Sequence, residues 1–227
     1  MKLLLFDIDG TLLLTAGAGM RAMHRAGQRL FGPRFSFEHI VTAGGLDPLL
    51  LAEAIRSCGL TLADGDPDRF RDAYLPELEL ELRACAADVQ LMPGVVELIE
   101  RLRDDERVRL GLLSGNYAGA APIKLRAAGI DPGWFEVQSF ADHGPDRPSL
   151  VRHAMTQHGD GLDPTDVIVI GDTPRDVDCA KVNGCIAFGV ATGRYSVSDL
   201  EQAGADAAVA SLADAGPLFE LIEGEGG

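Results

Sequence analysis

The chain has 227 residues, 46% of them hydrophobic and 24% charged, a composition typical of a soluble globular protein with one large or two modest domains. Its formal net charge of −15 argues against nucleic acid and against anionic membranes as general partners. Asp7 interrupts the N-terminal apolar run too early for a signal peptide or a membrane span, and the cysteines show no CxxC spacing. We therefore expect a cytoplasmic protein with reduced thiols.

The first predicted element is a buried strand over Leu3 to Phe6, which runs directly into Asp7-Ile8-Asp9-Gly10-Thr11. Because side chains alternate along a strand, Asp7 and Asp9 are expected on the same side, where their repulsion favours a hard divalent cation such as Mg²⁺. Gly10 permits a tight turn, and Thr11 is expected to place a hydroxyl group at the rim of the site. Asp and Gly also end many strands without any function, so these five residues alone leave both interpretations open.

Residues 15–90 are predicted to form an all-helical block, with helices separated by glycine-containing breaks and no strand. Helices are expected over Met20 to Phe31, over Leu49 to Cys58, and from Asp66 to about Ala87. In the third of these, residues 77–82 alternate Glu and Leu with the period of a strand. Leucines of the same region also recur at helical spacing, and Glu, Leu and Ala favour helices, so we predict a helix there.

From Met92 onward, helices and strands alternate. Strands are expected at Val108 to Leu113, Phe135 to Phe140, Val167 to Ile170, Ile186 to Val190 and Ala207 to Ala210, with helices at 94–104, 118–128, 148–158, 174–182 and 214–222. This alternation predicts an α/β fold with a doubly wound, Rossmann-like parallel sheet. Residues 1–14 and 91–227 would form that core domain, and residues 15–90 would be a helical cap domain inserted after its first strand.

Two more polar motifs follow predicted strands. Ser114-Gly115-Asn116 offers a hydroxyl group and backbone N–H groups for phosphate oxygens, although a helix cap with a glycine turn would look the same. In Gly171-Asp172-Thr173-Pro174-Arg175-Asp176, one acid can bind a cation directly, and the second can orient the groups around that cation. Alternatively, both acids are present only because negative charge stabilises the N-terminus of a helix. Ligands of open parallel sheets bind beyond the carboxyl ends of the strands, so we expect both motifs to meet Asp7.

In this order the motifs resemble those of the haloacid dehalogenase-like hydrolases. Residues 7–11 are similar to the first signature of that superfamily in the DxDGT form of its phosphatases, Ser114 is similar to the second signature, and residues 171–176 are similar to the GDxxxD signature. The helical insertion resembles the cap of the phosphoglycolate-phosphatase-like branch. The resemblance implies a Rossmann-like core with an inserted all-helical cap.

The third signature departs from the family pattern, in which a lysine precedes a helix. Arg147-Pro148 stands at the matching place, and the chain has only three lysines, Lys2, Lys124 and Lys181. Lys124 could reach inward from the helix after the second motif, but we favour Arg147 for its position. An exposed surface charge is the alternative for Arg147.

The resemblance implies a Mg²⁺-dependent phosphatase that hydrolyses a small phosphorylated metabolite through an aspartyl-phosphate. Asp7 would be the nucleophile and Asp9 the general acid and base, and the metal would be held by Asp7, the backbone carbonyl of Asp9, and Asp172. The substrate would be bound by Thr11, Ser114, Gly115, Asn116 and Arg147. Asp176 would orient that cation or the metal's water ligands.

Two other functions stay open. A phosphomutase similar to beta-phosphoglucomutase would share these motifs, and Arg147 in place of lysine is compatible with a non-catalytic binding protein on the same scaffold. By the same resemblance, Asp9 disfavours a dehalogenase, and the absence of lysine from residues 15–90 disfavours a phosphonate hydrolase. We expect specificity to lie around Gly44 to Asp47, with Arg21 or Arg25 as candidate anion contacts.

Overall fold

A six-stranded parallel sheet forms the centre of the computed structural model, which describes residues 1–159 and 161–224. The strands are β1 (Lys2–Phe6), β4 (Val108–Leu113), β5 (Val137–Ser139), β6 (Val167–Gly171), β7 (Ile186–Val190) and β8 (Ala207–Val209). The strand order is β5-β4-β1-β6-β7-β8, and every neighbouring pair is parallel. The predicted α/β fold class with a doubly wound sheet is confirmed.

Both faces of the sheet are apolar, which is why helices cover it on both sides. In β1, Leu4 and Phe6 pack into one cluster of buried side chains, and Leu3 and Leu5 pack into a second cluster on the opposite face. The first cluster is covered by α4 (Val95–Arg103), α5 (Ala120–Ala127) and α9 (Gly216–Glu223). The second is covered by α6 (Arg147–His158), α7 (Pro174–Val182) and α8 (Val197–Gln202).

Along the chain, three helices follow the first strand and precede the other strands of the sheet: α1 (Ala18–Phe31), α2 (Asp47–Ser57) and α3 (Asp66–Ala84). They enclose a third apolar cluster that includes the buried rings of Phe35, Phe70 and Tyr74. We call residues 15–90 the cap segment. Its assignment as a separate domain, with 1–14 and 91–227 as the core domain, stays a prediction.

The Glu-Leu run belongs to a helix, as predicted. Leu78 and Leu82 are buried on one side of α3, at helical spacing. The helix continues through this region although its third turn contains Pro76. The burial of Leu78 and Leu82 on one side of α3 outweighs the alternating pattern of the local sequence.

Two short strands and a short α-helix in the described part of the chain were not predicted from the sequence. Strands β2 (Leu13–Leu14) and β3 (Gln90–Leu91) pair antiparallel and join the two ends of the cap segment. Helix α8 has only six residues, too few for a periodic pattern, and begins after Ser196, whose hydroxyl group accepts from the backbone N–H of Asp199. Among the described residues, no helix has the combination of length and apolar character that crossing a membrane requires.

The packing of α1 makes a testable prediction at Gly27. A Cβ atom at this position would overlap the ring of Phe35. We expect Gly27→Ala to lower the free energy of unfolding by about 1–3 kcal/mol, because overpacking outweighs the roughly 1 kcal/mol gain in helix propensity. Urea denaturation measures this change.

The matched control is Gly216→Ala at the start of α9, where a Cβ atom would meet only the Asp214 Oδ1 atom at 3.9 Å. This variant should stay within about 0.5 kcal/mol of the wild type. Equal stability of the two variants would contradict the packing described here.

Candidate active site

The carboxyl ends of the central strands open into a cavity of about 240 Å³ between the core and the cap segment. The core contributes Asp7, Asp9, Ser114, Gly115, Asn116, Lys124, Arg147, Asp172 and Thr173. The cap-side wall, as we call the lining residues of the cap segment, consists of Thr15, Gly17, Gly19, Met20, Met23, Thr42, Ala43, Gly44, Gly45, Asp47, Leu50 and Tyr74. The structure therefore gathers seven of the nine predicted site residues on one cavity, and the other two, Thr11 and Asp176, lie directly behind it.

Three buried carboxylates form a cluster at the base of the cavity. Asp7 follows β1, Asp172 follows β6, and Asp176 lies in the first turn of α7, with one oxygen of each within 4.8 Å of the others. Burial raises the pKa of Asp7 to about 6, against the opposing effect of Arg147. Burial, together with the charges of Asp7 and Asp176, raises the pKa of Asp172 to about 8. The cluster therefore has more buried negative charge than Arg147 compensates, and this charge is on carboxylate oxygens, which hard divalent cations prefer as ligands.

Arg147 is the cation of this cluster. It is buried at the start of α6, with its Nη2 atom 2.9 Å from Asp7 Oδ1, and it also donates to Asp176. Its Nε atom is buried and has no hydrogen-bond partner among the described residues. The alternative of an exposed surface charge is therefore wrong for Arg147.

Asp176 is held so that it can orient Arg147. Its Oδ2 atom accepts from the backbone N–H of Thr173 at 3.0 Å and from the Thr173 hydroxyl group at 2.7 Å. Its Oδ1 atom accepts from Arg147. Both oxygens of Asp176 thus have protein partners, which is consistent with the supporting position predicted for it.

The predicted rim position of Thr11 is wrong. The chain turns at Gly10, whose φ is +89°, and passes into the interior, so Thr11 is fully buried and does not line the cavity. Its hydroxyl group lies 3.5 Å from Asp172 Oδ1. A Cβ atom at Gly10 would collide with the Asp172 carboxylate, which explains the glycine at this turn.

Asp9 pairs with Lys124 and not with Arg147. Lys124 in α5 places its Nζ atom 2.8 and 2.7 Å from the two carboxylate oxygens of Asp9, and 2.6 Å from Asn116 Oδ1. Asn116 Nδ2 in turn donates to Asp9 at 2.7 Å and to the Ser114 hydroxyl group at 2.8 Å. The position in the sequence favours Arg147 over Lys124, whereas the structure brings both cations to the cavity, each beside a different acid.

One loop of the site was missed in the sequence. After β7, the hydroxyl group of Thr192 donates to the Gly10 carbonyl at 2.6 Å, and Gly193 lies so close to Asp172 that a Cβ atom would overlap its carboxylate. The available signal was a Thr-Gly pair that begins two residues after the end of a strand, similar to Ser114-Gly115. The loop supports the turn of the first motif and the position of Asp172.

The cap segment reaches the cavity through the loop before α2. The backbone N–H of Asp47 donates to the Gly115 carbonyl at 2.7 Å, and the backbone N–H of Tyr117 donates to Asp47 Oδ2 at 2.8 Å. A Cβ atom at Gly115 would overlap the carbonyl oxygen of Gly45, so this contact requires glycine. Burial raises the pKa of Asp47 to about 7, although Lys124 opposes the shift.

Arg21 and Arg25 are not at the cavity. The Nε atom of Arg21 lies 2.6 Å from Glu81, and the Nη1 atom of Arg25 lies 2.8 Å from the same carboxylate, which is buried in α3. Neither arginine lines the cavity. Because Glu81 binds both, the structure gives no support to their predicted role as anion contacts.

The chain is similar to known proteins along most of its length. A sequence model of haloacid dehalogenase-like hydrolases matches residues 1–184. The phosphoglycolate phosphatase of Aliivibrio fischeri is 26% identical over 199 residues, 85% of each chain. That of Nitrosospira multiformis is 27% identical over 226 residues, covering 97% of this chain and 96% of its own. The crystal structure of a hydrolase from Pseudomonas syringae superposes with a TM-score of 0.71 at 24% identity, over 98% of this chain and 99% of that one.

The buried carboxyl group of Asp47 makes stability depend on pH. Its pKa is raised from 3.8 to about 7 in the folded state, so its contribution to stability is complete below about pH 4 and is lost as the pH rises through 7. Asp47→Asn imitates the protonated form and still accepts from Tyr117. Relative to this variant, the wild type should lose about 3 kcal/mol of unfolding free energy between about pH 5 and pH 8.

Urea denaturation at a series of pH values, with a chelator present throughout, measures the difference between the two proteins. Parallel curves for wild type and variant would show that Asp47 ionises as freely in the folded state as in the unfolded chain.

Proposed function

The chain belongs to the haloacid dehalogenase-like hydrolases, and on this premise we propose that it is a Mg²⁺-dependent phosphatase that hydrolyses a small phosphorylated metabolite through an aspartyl-phosphate intermediate. The expectation of an enzyme from this family is confirmed. The observation that carries the proposal is the cluster of Asp7, Asp172 and Asp176, with one oxygen of each within 4.8 Å, on a cavity that also holds Asp9 and Arg147. The name phosphoglycolate phosphatase, shared by relatives that match most of the chain, supports the reaction class.

Asp7, Asp172 and the backbone carbonyl of Asp9 would hold the metal ion. The ion would supply positive charge that screens the repulsion between the Asp7 carboxylate and an anionic phosphoryl group. The raised pKa values of Asp7, to about 6, and Asp172, to about 8, support this assignment because they reflect buried negative charge that lacks sufficient compensation.

In the first half of the reaction, a carboxylate oxygen of Asp7 attacks phosphorus, and the bond between phosphorus and the ester oxygen breaks. The electron pair of that bond goes to the ester oxygen, which receives a proton from Asp9. In the second half, Asp9 takes a proton from the water that attacks phosphorus, and inorganic phosphate leaves with Asp7 regenerated. Lys124 and Asn116 position Asp9 for both steps through the contacts described above.

The transferring oxygens would be held by Ser114, by the backbone N–H groups of Gly115 and Asn116, and by Arg147. The Ser114 hydroxyl group accepts from Asn116 Nδ2 at 2.8 Å, which leaves its own hydrogen available for a phosphoryl oxygen. Asp176 keeps the Arg147 guanidinium in place. Thr11 contributes indirectly, through its contact with Asp172.

The nucleophile can be tested with p-nitrophenyl phosphate. We expect the purified protein to release p-nitrophenol with Mg²⁺ and to stop when the metal is chelated. Asp7→Asn should lower kcat by at least about a thousandfold, since the attacking carboxylate is lost. The control Asp178→Asn changes an exposed acid of α7 and should retain full activity. Absence of turnover with every divalent metal and phosphate ester would instead favour the non-catalytic binding protein.

The role of Lys124 predicts a separation of kcat from KM. Lys124→Met removes the cation that holds Asp9, and we expect kcat to fall about a hundredfold with a much smaller change in KM. The control is Lys181→Met, which removes a lysine that pairs with Asp206 on the surface. Similar kinetics for the two lysine variants would argue that Lys124 has no part in proton transfer.

Product analysis distinguishes the phosphatase from the phosphomutase. With a sugar phosphate as substrate, the phosphatase releases inorganic phosphate, whereas a mutase yields an isomeric sugar phosphate. The proposed function requires that free phosphate accounts for the substrate consumed.

A further inference from the structure

The cap-side wall of the cavity contains no positively charged side chain, within the part of the chain that the structure describes. Its two ionisable residues are Asp47 and Tyr74, and neither offers a cation in any protonation state. Arg175 of α7 passes close to Gly44 but is exposed and does not line the cavity. The part of a substrate that points toward the cap segment therefore meets a carboxyl group and a phenol.

The two cations on the core side of the cavity are already matched with acids. Arg147 contacts Asp7 and Asp176, and Lys124 contacts both oxygens of Asp9. Arg147 lies at the base of the cavity beside the acids, whereas Lys124 approaches Gly19 and the Tyr74 hydroxyl group. The three N–H groups of Lys124 are already taken by the two Asp9 oxygens and by Asn116 Oδ1. A second anionic group on the substrate would lose its water of hydration without gaining a cation, which is strongly unfavourable.

The hydroxyl group of Tyr74 needs a hydrogen-bond partner. Tyr74 is fully buried, lines the cavity, and has no partner for its hydroxyl group among the described residues. Its ring stacks on Phe70, with centroids 6.3 Å apart and an interplanar angle of 13°, so the position of the hydroxyl group is fixed by packing. Met20 and Met23 complete this region with apolar surface. A ligand hydroxyl group on a short carbon chain would give the Tyr74 hydroxyl group a partner, and the carbon chain would contact the apolar methionine side chains.

We propose that the leaving group of the substrate is an uncharged alcohol that carries a further hydroxyl group, and that the cavity discriminates against esters with a second anionic group, phosphoglycolate included. This inference rests on the proposed phosphatase function and specifies its substrate class. Tyr74 binds the distal hydroxyl group, and none of the described side chains of the cap-side wall offers a cation to a carboxylate at the same place.

The experiment compares two esters that differ only at the terminal carbon: 2-hydroxyethyl phosphate and phosphoglycolate. Release of inorganic phosphate gives kcat/KM for each with Mg²⁺ present. We expect 2-hydroxyethyl phosphate to be preferred by at least about tenfold. Calorimetric binding of the same two esters to Asp7→Asn, which cannot form the aspartyl-phosphate, should give the same order of affinity.

The role of Tyr74 is tested by its phenylalanine variant, which keeps the ring and its packing. In Tyr74→Phe, the ratio of kcat/KM for 2-hydroxyethyl phosphate to that for ethyl phosphate should fall about fivefold, the value of one hydrogen bond. Tyr117→Phe is the matched control. The Tyr117 hydroxyl group is also buried without a partner among the described residues, but Tyr117 does not line the cavity, so this ratio should not change.

The possible failures have different meanings. Equal or better hydrolysis of phosphoglycolate would overturn this inference and leave the phosphatase in place, as would an unchanged ratio in Tyr74→Phe. Hydrolysis of neither ester, nor of p-nitrophenyl phosphate, would overturn the proposed function and this inference with it.

Discussion

Three buried carboxylates and the guanidinium of Arg147 share one edge of the sheet, and the chemistry of the site follows from the negative charge that Arg147 leaves uncompensated. Asp7, Asp172 and Asp176 reach this edge because β1 and β6 are parallel neighbours whose carboxyl ends coincide. Arg147 compensates only part of their charge, as the raised pKa values of Asp7, to about 6, and Asp172, to about 8, indicate. The fold thus produces a position where a hard cation is favourable, before any substrate is considered.

The acid–base chemistry is kept apart from that cluster. Asp9 is two residues from Asp7, yet its side chain is 42% exposed and is held by Lys124 and Asn116. Asp7 is buried against Arg147 instead. One pair of neighbouring carboxylates therefore has two environments, and this difference suits the two roles proposed for them: a desolvated nucleophile and an accessible proton donor and acceptor.

The cap segment completes the cavity through backbone contacts that tolerate no side chain. Gly45 and Gly115 touch across the boundary, and Asp47 donates to the Gly115 carbonyl. This contact places the cap-side wall above the acids, so the side chains of that wall decide which leaving group fits. At 26–27% identity, relatives can share the phosphoryl-transfer residues while their walls differ, and the name of a relative's substrate does not fix the leaving group here.

The amino-acid sequence was sufficient to predict the main helices and strands in their order, because apolar periodicity and strand-end motifs are local properties of the chain. It predicted the parallel sheet, the helical insertion and the strand ends that carry Asp7, Ser114 and Asp172. The partners of the charged side chains, in contrast, follow from the folded chain: Glu81 pairs with both Arg21 and Arg25, and Lys124 reaches Asp9 across 115 positions of the chain. The same holds for the burial of Thr11, the support from Thr192 and the unpartnered hydroxyl group of Tyr74. Such contacts depend on how helices and loops pack against one another, and no short stretch of sequence records that packing.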